Sequence, residues 1–151
     1  MGEIIRKQGL LIDKEKRGWE EAVRICGDLM VDLGSCEPGY TDAMVEAIHK
    51  FGPYIVIAPH IAFAHAAAEA HVLKDDLVLA VFKEPVIFNS DNDPVHLIFG
   101  ICALEPGSHL ELLQKLVSAI DSKDSCKKLL NCSTTEELYK ILHLNPYKTV
   151  P

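Results

Sequence analysis

The sequence predicts an α/β domain in which short buried strands are bracketed by helices, so that both faces of a sheet are covered. Three observations carry that prediction. Leu77-Val-Leu-Ala-Val-Phe82 is an unbroken apolar run, the pattern of a strand buried on both faces. Trp19, Ala22, Val23, Cys26, Leu29, Met30 and Leu33 recur at helical spacing ahead of it. Tyr54 to His65 is an apolar stretch that delivers two histidines five residues apart, His60 and His65.

Each element is read from local signals. Gly34 is placed to stop the helix over 18–33, with Glu20, Glu21, Arg24 and Asp28 on its polar side. After the loop Ser35-Cys-Glu-Pro-Gly39, a second helix is predicted from Thr41 to Lys50, ended by Gly52-Pro53. Tyr54 to Ala58 reads as a strand, Pro59 interrupts its ladder, and Ile61-Ala-Phe-Ala64 resumes extended chain up to His65. Leu77–Phe82 is the next strand; Lys83-Glu-Pro85 is expected to turn into a shorter Val86-Ile-Phe88. The polar segment Asn89 to Pro94 reads as a loop, and Val95 to Ala103 as a buried strand containing His96 and Gly100. Ser108-His-Leu-Glu111 and Ser133-Thr-Thr-Glu136 are capping-box signatures that open two further helices. Residues 144–151 read as a loose tail.

The 151 residues suit a single domain spanning 1–151. A formal charge of -7 argues against nucleic acid or an anionic bilayer as main partner. The longest apolar stretch is broken by Pro59, His60 and His65, which argues against membrane insertion. Five scattered cysteines without C-x-x-C, behind a start lacking a secretory pattern, make reduced thiols in the cytoplasm the default. No phosphate-binding glycine loop, dinucleotide fingerprint or G-x-S-x-G is present, so nucleotide hydrolysis, dinucleotide redox chemistry and α/β-hydrolase chemistry lose support, and no cofactor is expected.

Seven histidines are the enriched feature. Imidazole titrates near neutrality, is nucleophilic and can hold a phosphoryl group as a labile phosphoramidate. His109 falls in the first turn of a predicted helix, where unpaired N–H groups and the helix dipole suit a phosphoryl oxygen. Periodicity alone reads His65 as a core residue and leaves His109 equally well a polar helix-start residue. A metal site built from His60, His65 and His71 is the competing use; their spacing matches no recognised ligand pattern, and no metal is expected. His49, His96 and His143 belong to no evident constellation.

Gly18-Trp-Glu-Glu-Ala-Val23, Gly39-Tyr-Thr-Asp-Ala-Met44, Phe51-Gly-Pro-Tyr-Ile-Val-Ile-Ala-Pro59 and Ile61-Ala-Phe-Ala-His65-Ala66 together resemble enzyme IIA of the bacterial phosphotransferase system. The likeness is to the mannitol/fructose superfamily and its ascorbate-type branch. Leu79 to Phe88, Asp91-Asn-Asp-Pro-Val95 and His109-Leu-Glu-Leu-Leu113 extend it, in order, over nearly the whole chain. The resemblance implies a mixed β-sheet flanked by α-helices on both faces, of the kind shared by phosphotransferase and anion-transport proteins. It implies phosphorylation of a histidine, matching His65, by the small histidine-containing phosphocarrier protein. Transfer would then pass to a cysteine of a sugar-specific enzyme IIB that serves the membrane enzyme IIC, for ascorbate or a related carbohydrate. The family's second site histidine matches His109, and His60 is a candidate site neighbour. Ala64 stands where the family usually has proline, His60 where it has glycine, and Ala67-Ala68 where the branch has Arg-Pro; no arginine occurs after Arg24. Charge on a transferring phosphoryl group would then rest on backbone N–H groups, His109 and His60 or a lysine. An apolar rim is expected around the site, with Phe63 a candidate for it or for the core. A phosphorylation-dependent or non-catalytic regulatory module of the same fold is the alternative function, and a homodimer is compatible with the sequence.

Overall fold

A computed structural model describes residues 4–67, 69–120 and 123–143. The strands are β1 (Leu10–Asp13), β2 (Val56–Ala58), β3 (Ile61–Ala64), β4 (Asp76–Val86) and β5 (Val95–Cys102). The helices are α1 (Trp19–Asp32), α2 (Pro38–Phe51), α3 (Pro106–Ala119), α4 (Lys123–Leu130) and α5 (Thr135–His143), with single 3-10 turns at Lys7–Gly9 and Glu69–His71.

The strands form one mixed sheet in the order β1-β4-β5-β3-β2. β1 runs parallel to β4 and β3 parallel to β5, whereas the β4–β5 and β2–β3 pairs are antiparallel. In the apolar run of β4 successive side chains point to opposite faces, so both faces must be covered. Val78, Ala80 and Phe82 join one core with Ala22, Val23, Cys26 and Met30 of α1 and Met44, Val45 and Ile48 of α2. Leu77, Leu79 and Val81 join the other, with Leu116 of α3, Leu129 of α4 and Leu138 and Leu142 of α5. The sheet is thus flanked by helices on both faces, as the sequence implies.

Gly100 answers the oddity of a glycine inside β5. A β-carbon there would stand 2.7 Å from Cys26 Sγ and 2.8 Å from Val78 Cγ2, so glycine lets α1 press onto the sheet. Gly34, at φ +77°, ends α1 as predicted; the Ser35 N–H bonds back to Met30 O at 2.9 Å.

Several boundaries differ from the sequence reading. β1 and α4 are additional elements: one is a four-residue edge strand, the other a short, largely polar helix in which, among the residues whose side chains are described, Leu129 alone is fully buried. Pro85 does not turn the chain but lies inside a continuous β4, where the β4–β5 register slips between Val81 and Val86; a bulge tolerates a residue without an N–H. α2 begins at Pro38 and α3 at Pro106, because proline is preorganised for a first helical position, and this leaves Ser108 inside α3 rather than capping it. The box on α5 shifts by one residue: Thr134 Oγ1 accepts the Glu137 N–H at 3.2 Å and Glu137 Oε1 accepts the Thr134 N–H at 3.1 Å. The predicted tail, 144–151, lies outside the described residues.

Candidate functional site

β3 and β5 are parallel neighbours, with Ala64 opposite Gly100, so the chain leaves both strands at the same end of the sheet. His65 is the residue after β3. Ala103, Leu104 and Glu105 after β5 lead into α3, whose fourth residue is His109. The topology therefore brings the backbone of His109, in a helix's first turn, to the end of the sheet that carries His65; the His109 side chain lies outside what the structure describes.

The His65 ring is oriented by its own strand. Its Nδ1 lies 2.7 Å from Phe63 O, and because a carbonyl can only accept, Nδ1 carries the hydrogen. The neutral ring consequently bears its lone pair on Nε2. Tyr54 meets the ring edge-on, centroids 5.5 Å apart, and Phe51 meets Tyr54 in the same manner at 6.4 Å.

The peptide unit joining His65 to Ala66 is gripped on both edges. Tyr54 Oη donates to His65 O at 3.2 Å, while Tyr40 Oη accepts the Ala66 N–H at 3.0 Å and donates to Ile101 O at 2.6 Å. Tyr40 is 1% exposed, and burial pushes its hydroxyl pKa well above the ordinary tyrosine value, so it stays a donor across the physiological range. One buried hydroxyl thus ties the chain beyond β3 to the end of β5, the strand that leads into α3. No sequence pattern marks either tyrosine as a site residue. The available signal is that a buried tyrosine hydroxyl needs a partner.

Beside His65 lies an apolar depression of about 400 Å³, lined by Ala43, Ala47, Phe51, Tyr54 and Ala66. Exposed large apolar side chains collect at this end: Phe51 (68% exposed), Tyr54 (40%), Leu73 (56%), Leu104 (49%) and Leu110 (56%). Phe63 is not among them. It is 3% exposed and packs edge-on against Phe99, 5.6 Å away, because it points into the α3–α5 core.

Of the remaining histidines, His60 is held away from His65. His60 lies in the β2–β3 turn, at the opposite end of β3, about 16 Å away by the rise of an extended chain. Its backbone sits at φ +72°, the left-handed region that suits glycine and costs a residue with a β-carbon about 1–2 kcal/mol. His71 closes the 3-10 turn Glu69–His71, with Nδ1 3.2 Å from Glu37 Oε1. Among the described residues, no group of three or more His, Cys, Asp or Glu could hold a metal ion. His49 pairs with Glu20 at 2.9 Å, and His143 Nε2 accepts the Ile4 N–H at 3.0 Å. Arg6 stands at the His65 end of the sheet but beyond β5 and β4, with its guanidinium on Asp76 at 2.8 Å.

This end of the sheet thus presents an oriented imidazole beside an apolar depression and the start of a helix, in an α/β protein whose sheet is covered on both faces. Comparison with known proteins makes this specific. Residues 3–144 match the family model "Phosphoenolpyruvate-dependent sugar phosphotransferase system, EIIA 2", and the chain belongs to that family. The ascorbate-specific PTS system EIIA component of Escherichia coli K12 is 31% identical over 141 residues, covering 92% of each chain. The fold matches the solution structure of the mannitol-specific cryptic phosphotransferase enzyme IIA CmtB from Escherichia coli with TM-score 0.83 at 24% identity, over 92% of this chain and 95% of that one. It also matches the complex of enzyme IIAMTL and phosphorylated enzyme IIBMTL from Escherichia coli, with TM-score 0.81 at 26% identity, over 91% and 96%. Among the described residues, no helix is long and apolar enough to cross a membrane.

Proposed function

We propose that this chain carries phosphoryl groups on His65, taking them from the histidine-containing phosphocarrier protein and delivering them to a cysteine of a sugar-specific enzyme IIB in the cytoplasm. The observation that carries the reading is the 2.7 Å bond from His65 Nδ1 to Phe63 O. It leaves Nε2 as the nucleophilic nitrogen and fixes the direction of its lone pair.

In the first step Nε2 attacks the phosphorus of the donor's phosphohistidine; the new N–P bond forms as the donor's N–P bond breaks and its imidazole leaves. The phosphorylated ring is cationic, and its Nδ1–H on Phe63 O stabilises that charge as well as its orientation. In the second step a thiolate of enzyme IIB attacks phosphorus, and the N–P electron pair returns to Nε2. Negative charge on the equatorial oxygens is met by the main-chain N–H groups of the first turn of α3, and we assign His109 to the same role.

Two successive protein partners need a surface they can wet and leave, and the apolar rim of Phe51, Tyr54, Leu73, Leu104 and Leu110 suits that use. Phosphorylated enzyme IIB is found with the mannitol relative. Ascorbate or a related carbohydrate is our assignment for the transported sugar, by likeness to the ascorbate-specific component. Ala64, Ala67 and Ala68, standing where the family pattern has Pro, Arg and Pro, favour a second reading in which the domain regulates by binding rather than supplying a transporter.

Labelling from phosphoenolpyruvate through enzyme I and the phosphocarrier protein tests this. Wild type should form an acid-labile, base-stable adduct that is absent in His65→Ala and weakened in His109→Ala. A well-folded wild type that several cognate donors fail to label would move the assignment to the regulatory module.

A further inference from the structure

The far end of β3 carries a second cavity, of about 590 Å³, between the β2–β3 turn, the start of β5 and α4. Its walls are largely apolar, Ile61, Leu97 and Leu130 among them, and its nitrogen-bearing side chains are His60, His96 and Lys127. No carboxylate lines it among the described residues. The His60 and His96 rings face the same space with centroids 6.1 Å apart.

Both imidazoles are held the same way. His60 Nδ1 donates to Pro94 O at 2.9 Å, and His96 Nδ1 donates to Phe82 O at 2.7 Å. Each ring is therefore fixed in orientation by a main-chain carbonyl and turns its Nε2 edge away from that carbonyl. His60 holds its ring there from a backbone at φ +72°, where glycine would fit without strain, and a strained residue in a cavity wall points to use. The phosphoryl chemistry assigned to His65 uses none of these groups.

We propose that this cavity binds a small organic carboxylate with an apolar body. The Lys127 ammonium in the wall of an otherwise apolar chamber complements such a ligand in charge, and the apolar lining complements its body. With a second proton on either ring, Nε2–H makes a charge-assisted hydrogen bond to the carboxylate while Nδ1–H remains on its carbonyl; the Lys127 ammonium adds a further cation. The site stands apart from the phosphocarrier reading, because the length of β3 separates it from His65.

Titration of the full chain with octanoate, followed by amide NMR, tests the proposal, with octylamine as the charge-reversed control. Octanoate should give saturable shifts centred on residues 58–61, 96–97 and 126–130. His60→Gly, which suits the left-handed backbone, and Lys127→Gln, on the surface of α4, should each weaken it about tenfold or more, the effect of losing a charge-assisted contact. Octylamine should bind at least about tenfold more weakly than octanoate. Absence of saturable shifts, shifts centred on His65, affinity unchanged in both variants, or octylamine binding as tightly as octanoate would each overturn it.

Discussion

Replacing Tyr40 by Phe removes a single oxygen from the core, and its consequences can be worked from three contacts. The hydroxyl donates to Ile101 O at 2.6 Å and accepts the Ala66 N–H at 3.0 Å; it also lies 3.4 Å from Ala66 O, too long to add much. The phenol ring is 1% exposed, so water cannot easily replace the lost partner. Two net hydrogen bonds at about 1 kcal/mol each give a destabilisation of about 2 kcal/mol. For a chain of this length that lowers Tm by about 4–8 °C. The effect should reach the site as well, because the same oxygen fixes the peptide on which His65 is carried. Phosphoryl uptake should slow measurably while the adduct still forms, since Nδ1 keeps its bond to Phe63 O. Tyr54→Phe is the internal control. Its hydroxyl bond to His65 O is 3.2 Å long and the residue is 40% exposed, so the variant should stay within about 0.5 kcal/mol of wild type. Urea and thermal denaturation, read beside single-turnover labelling, decide the matter. Equal stability of Tyr40→Phe and wild type would refute the clamp, as would a Tyr54→Phe loss larger than that of Tyr40→Phe.

Two further predictions concern the packing. Gly100→Ala puts a methyl group within 2.8 Å of both Cys26 Sγ and Val78 Cγ2, and forcing α1 off the sheet should cost about 1–3 kcal/mol in a denaturant titration; an unchanged midpoint would contradict the close approach. Of the five cysteines, Cys26, Cys36, Cys102 and Cys132 are buried and Cys126 is half-buried. Burial pushes the Cys26 thiol up to about 12 and raises that of Cys126 too, so native protein should show one slow reactive thiol toward a disulfide reagent, lost in Cys126→Ser, and all five only after unfolding; a reactive phase that survives Cys126→Ser would contradict this.

Whatever a single local pattern decides is legible in the sequence. The unbroken run of β4 announces a strand covered on both faces, and the apolar stripe of α1 announces one of its covers. The hidden features depend on more than one pattern, or on none. Ser133-Thr-Thr-Glu-Glu137 contains two overlapping capping boxes, and only the helix's packing selects Thr134 with Glu137. β1 has four residues, too few for periodicity to register, and α4 offers little apolar signal beyond Leu129 and Leu130. Pro85 argues for a turn because sequence cannot announce the bulge that accommodates it.

At the site, spacing misleads in one place and informs in another. His60 and His65 are close in sequence, yet the segment between them is β3 itself, and extended chain carries them to opposite ends of the sheet. His109 is far from His65 in sequence, but the parallel pairing of β3 with β5 returns the start of α3 to the same end. The tyrosine grip on the 65–66 peptide is invisible because it is made of hydroxyls meeting main-chain atoms, which no spacing encodes.

The proposed function turns on one atom, His65 Nε2, as the acceptor of the phosphoryl group. Nitrogen-15 NMR of the phosphorylated chain, reading the ring couplings of each histidine, puts that atom to the test. One phosphohistidine is expected, at His65, substituted on Nε2 with the proton retained on Nδ1. A phosphoryl group on Nδ1 of His65, or on any other histidine, would contradict it.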